Sequence, residues 1–209
     1  MKTKTSLALK MTILFYIIGI LYSIYYNLNG HPYLWLVPVS CLVPFILPVI
    51  FKLLRLKITD RIRILNLMFC FFAAIVGSTL DGYTQPYYDK VVHFVSGILI
   101  TIVGYIFYCF LKKIRRVEIK EDFWVMIVFI NIFNLAVAVL WEFYEYGMLI
   151  FFNYDCINHY ASGIHDSLTD MLCAFVGGII IAFGIYFSYH KHKPNFLTKI
   201  YEELYDVNK

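Results

Sequence analysis

The sequence predicts an all-α, polytopic membrane protein with six transmembrane helices and both termini in the cytoplasm. Three observations carry that expectation. Of 209 residues, 61% are apolar and only 15% charged, against about 45–50% and about 25% in soluble domains, and a chain this short has too little interior to hide the excess. Six segments reach the roughly 20 mostly apolar residues that a spanning helix needs. All but Lys90 of the 18 basic residues fall on alternate connections and at the two termini, the signature of cytoplasmic loops. An ordinary cytosolic enzyme, a disordered chain and a secreted disulfide scaffold are excluded. The net charge of +4 does not point to nucleic acid, because the basic residues stand beside membrane ends as orientation signals.

The expected spans are residues 8–26, 34–54, 64–80, 91–111, 123–152 and 168–189. The first begins beside Lys2, Lys4 and Lys10, but its apolar run is long and no A-x-A site follows, so it reads as an uncleaved anchor and not a signal peptide. The second contains Pro38, Pro44 and Pro48, which remove backbone donors and kink it. The fifth is long enough to tilt or to extend past the bilayer near Gly147. Residues 1–189 are expected to form a single six-helix domain, with 190–209 a short cytoplasmic tail. In that tail Phe196, Ile200 and Leu204 repeat every four residues, as on an interfacial helix. Tyr22, Tyr25, Trp35, Trp141 and Tyr144 near outer ends suit a belt at headgroup depth. The five cysteines show no C-x-x-C pairing, hence neither a zinc knuckle nor a disulfide framework.

Ionisable groups within or beside spans are costly and usually mark a pathway or a site. The fourth span opens with Asp89 and His93 one turn apart on a shared face, with Lys90 between them. The fifth carries Asn131, Asn134, Ala138, Glu142 and Glu145, which lie within about 80° of one another at 3.6 residues per turn. One polar stripe therefore runs from mid-membrane to the outer surface. The sixth presents Asp166 and Asp170 on a face that continues through Cys173, Gly177 and Gly184, where small residues allow a close neighbour such as the Gly97 and Gly104 face of the fourth span. Helix capping explains Asp89 and Asp166 equally well; it does not explain Asp170, a full turn further in. Carboxylates gathered at one depth need protons, Lys90, a bound cation or a cationic ligand. Oxygen-rich donors with an imidazole suit magnesium, manganese, calcium or zinc. The expected ligands are His93, Glu142, Glu145, Asp166 and Asp170, with Asp89, Lys90, Asn131 and Asn134 available to a bound molecule.

The ordered set Asp89-Lys90-x-x-His93, Trp141-Glu142-x-x-Glu145 and Asp166-x-x-x-Asp170 before Gly177 resembles the YjdF-like family of small bacterial inner-membrane proteins. It is more distantly similar to VanZ-like proteins, which family naming links to teicoplanin resistance. The resemblance covers roughly residues 80–189 and implies a multi-pass protein of the plasma (inner) membrane. Where that family carries a further acid or amide one turn past the last aspartate, this chain has Cys173 and Ala174.

Three functions stay open. The leading one is an outer-leaflet pocket that binds a divalent cation and, through it, an anionic lipid or a lipid-linked, phosphate-bearing envelope molecule. If chemistry occurs there, Glu142 or Glu145 would be the general base and His93 a ligand or acid. The second is a transporter or substrate-capture subunit, with the asparagines lining a passage and the glutamates relaying protons or cations. The third is a structural protein whose acids are solvated helix ends. No HExxH, Ser-His pair or nucleophilic cysteine motif raises the case for an enzyme.

Overall fold

Hydropathy sets the architecture: Leu7–Leu28, Leu34–Leu53, Asp60–Thr79, Tyr88–Lys112, Lys120–Phe152 and Ile164–His190 are all long and apolar enough to cross a membrane. The computed structural model describes residues 6–156 and 158–209, and no strand occurs among them. Lys2 and Lys4 of the basic N-terminus lie outside the described residues. The chain divides into two units, Met1–Asp89 with Glu203–Lys209, and Lys90–Glu202.

In the first unit, Ser6 caps the first span by accepting the Leu9 N–H, while its own N–H donates to Asp60 at 2.8 Å. Tyr16, Cys70 and Ile75 form the buried core. The prolines of the second span break it as expected, into helix Val37–Leu42, a 3-10 turn Val43–Phe45 and helix Ile46–Leu53. A proline at position i leaves the carbonyl at i−4 without its helical donor. Pro44 thus orphans the Ser40 carbonyl and Pro48 that of Pro44, and in lipid no water would satisfy them. Neighbouring spans do so: Tyr16 Oη donates to the Ser40 carbonyl at 2.7 Å, and Asn66 Nδ2 to that of Pro44 at 2.8 Å.

The third span changes from α-helix, Asp60–Cys70, to π-helix over Phe71–Thr79. Its widened carbonyls also meet side chains, Ser40 Oγ at Ala74 and Tyr88 Oη at Phe72. At its end Asp81 takes a left-handed backbone (φ 61°) and accepts from Tyr26 Oη at 2.8 Å, with His31 Nδ1 at 3.1 Å.

In the second unit, glycines set the helix spacing. A methyl on Gly97 would meet the Ala174 carbonyl, and one on Gly177 the Phe94 carbonyl, so the fourth and sixth spans touch backbone to backbone. The other glycines of the two stripes take different partners: Gly104 faces Phe133 of the fifth span, and Gly184 faces Leu197 of the tail. A helix starts at Phe196. Its Ile200 and Tyr201 are buried, and Tyr201 Oη donates to the Ile114 carbonyl. Buried Glu202 takes Arg116 through two nitrogens, at 2.6 and 2.9 Å.

Candidate cation site

The fourth, fifth and sixth spans each bring ionisable side chains to one end of the second unit. Lys90 and His93 stand three residues apart near the start of the fourth span. The close approach at Gly97 and Gly177 holds that turn against the first turns of the sixth. Lys90 Nζ reaches Asp166 Oδ1 at 2.5 Å and both oxygens of Asp170, at 2.8 and 2.9 Å. Two carboxylates on one ammonium make a compact charged knot, and it is largely dry: the Asp170 side chain is 2% exposed. Asn158, in the connection before the sixth span, donates to Asp166 Oδ2 at 2.8 Å.

His93 links this knot to the fifth span. Its Nε2 lies 3.9 Å from Asp170 Oδ1. One donor atom from each of His93, Glu142 and Glu145 lies within 4.8 Å of the other two. His93 and Glu142 are buried and Glu145 is half-buried. One imidazole and two carboxylates so gathered match the donor types and spacing of a divalent-cation site. The expected carboxylates therefore fall into two sets, Asp166 and Asp170 held by Lys90, and Glu142 and Glu145 beside His93. Asp89 is half-buried one turn before His93 on the same helix and is the last residue of the first unit.

The asparagines of the fifth span serve as interior hydrogen-bond donors. Asn134 is buried beside Gly178, and its Nδ2 donates across to the Ala174 carbonyl at 2.8 Å. Asn131 donates to Ile127 of its own helix, while its Oδ1 is buried with no hydrogen-bond partner among the described residues. His159 and His165 near the start of the sixth span are exposed.

Sequence reasoning missed Asn158, since a polar loop residue carries no periodic signal. Cys156 lies on the same connection. Burial, then the neighbouring charges of Glu145 and Asp155, push that thiol up to about 11, so it stays protonated at neutral pH.

A family model described as "Predicted membrane protein (DUF2238)" matches residues 8–192. The chain belongs to this family. The DUF2238 match takes in nearly all of the six spans and every residue of the cluster, and the YjdF-like resemblance of the last three spans is consistent with it. No curated protein and no solved structure matches this DUF2238 chain.

Proposed function

We propose that this membrane protein binds a divalent cation at His93, Glu142 and Glu145. The observation that carries the reading is the convergence of these three donors to within 4.8 Å of one another at one end of apolar spans, where ionisable groups are expensive. Charge supports it as well. Among the described residues of the second unit, the group includes four carboxylates, Glu142, Glu145, Asp166 and Asp170, and the ammonium of Lys90. Like charges at this range force protons onto some carboxylates unless a cation offsets them.

Three protein donors leave coordination positions open, as in sites that take water or an external oxygen ligand. An anionic headgroup, from a lipid or a lipid-linked envelope molecule, meets the site through those positions. The bias of basic residues toward the opposite ends of the spans supports an extracytoplasmic location. The hydrogen bond from Asn134 to Ala174 gives the stripe below the cluster a packing role and favours a one-sided site over a passage.

Thermal unfolding in mild detergent tests this. A cation at about 100 times its Kd stabilises by about 2.7 kcal/mol, which for a chain of this length raises Tm by about 5–10 °C. Wild type should show that rise with Zn2+ or Mn2+, and Glu142→Gln should not. Identical curves with and without cation in wild type would contradict the proposal.

A further inference from the structure

Resting on the cation-site reading above, we infer that Asp170 serves the site as a positioning residue for His93, and that the site selects zinc-class cations over calcium and magnesium. Asp170 lies where a ligand is expected from sequence, but its surroundings oppose that role. Lys90 Nζ sits 2.8 and 2.9 Å from its two oxygens. A divalent cation bound to either oxygen would be pressed against that ammonium, whereas Glu142 and Glu145 project from a different helix.

What Asp170 does face is the imidazole: its Oδ1 is 3.9 Å from His93 Nε2, and both side chains are under a tenth exposed. Ring reorientation on loading closes that gap to a hydrogen bond. A carboxylate that accepts the Nε2–H fixes the neutral tautomer with its lone pair on Nδ1, the form that ligates metal. Lys90 holds the carboxylate in place and offsets its charge. The chain of contacts is thus ammonium, carboxylate, imidazole, cation, closed by the two glutamates.

The donor set then decides which cation. Calcium takes six to eight oxygens, and magnesium likewise prefers oxygen ligands and keeps its water. One imidazole and two carboxylates with an open position suit zinc and its neighbours in the first transition row.

Cobalt(II) titration of the detergent-purified full chain, read by visible absorption, tests both parts. In wild type Co2+ should bind saturably, Zn2+ should displace it, and Ca2+ or Mg2+ in large excess should not. Asp170→Asn preserves shape and an acceptor oxygen; it should keep a Co2+ site with affinity lowered about 10- to 100-fold and an altered absorption band. Wild-type affinity and spectrum in Asp170→Asn, or displacement by Ca2+ as effective as by Zn2+, would overturn the inference while leaving the cation site standing. Complete loss in Asp170→Asn, equal to that in Glu142→Gln, would make Asp170 a ligand and overturn it too. No binding of Co2+ or Zn2+ to wild type would overturn the underlying reading. If Asp170→Asn does not fold, the competition series on wild type decides the selectivity, and 15N-histidine NMR of Zn2+-loaded wild type decides the positioning: His93 should ligate through Nδ1, and ligation through Nε2 would overturn the inference.

Discussion

Lys90 is the residue on which the knot depends. It is the one lysine or arginine away from the termini and the basic connections, and it holds two carboxylates whose side chains are 12% and 2% exposed. Removing one partner of a buried charge group costs about 3 kcal/mol or more, because the other charges stay behind uncompensated. Lys90→Met should therefore lower thermal stability in detergent, and the triple change with Asp166→Asn and Asp170→Asn should restore most of the loss. A triple variant no more stable than Lys90→Met would show that the knot's charge balance is not what matters. From sequence, Asp89, Lys90 and His93 could be placed on one helix turn, and a need for compensation inferred. Which acids Lys90 takes was not legible, because that depends on how the fourth and sixth helices rotate against each other. Their rotation is fixed by backbone contact at Gly97 and Gly177; the small-residue faces were readable, but the register in which they meet was not.

Among the elements, the second span shows how proline is accommodated in an apolar setting. Its kink was readable from Pro38, Pro44 and Pro48, since a missing N–H is a local fact. The donors that meet the freed carbonyls were not readable, because Tyr16 and Asn66 come from other spans and look like any polar residue in an apolar run. Leaving a buried acceptor unsatisfied costs about 1–3 kcal/mol, so Tyr16→Phe should destabilise by that order. In a Pro44→Ala background the helix regains its own N–H donor to Ser40, and Tyr16→Phe should cost much less. Equal costs in the two backgrounds, measured by a double-mutant cycle in detergent unfolding, would contradict this account. The π-helical stretch Phe71–Thr79 was equally illegible: its hydropathy is that of any spanning helix, and only the longer carbonyl spacing distinguishes it. The fifth span behaved otherwise: its apolar background, carrying only the stripe of Asn131, Asn134, Glu142 and Glu145, marked residues 123–152 as one long helix, and the helix adds residues 120–122 at its start.

At the scale of the whole molecule, the six spans were legible to within about four residues at each end, because hydropathy acts on stretches of about 20 residues and averages over local detail. The orientation inferred from lysine and arginine is a separate statement about loops. With the native cysteines replaced by serine, a cysteine at Tyr160 should react with a membrane-impermeant maleimide in intact cells, and one at Lys113 only after permeabilisation. The reverse pattern would put the cluster on the cytoplasmic side. The spans deliver side chains to one membrane end, but the function follows from whether the donors of the fourth and fifth spans act together. Equilibrium dialysis against Zn2+ measures that directly, with bound metal counted per chain. The account predicts saturable binding of one ion per chain in wild type, lost in both His93→Ala and Glu142→Gln; undiminished binding in either variant, or none in wild type, would contradict it.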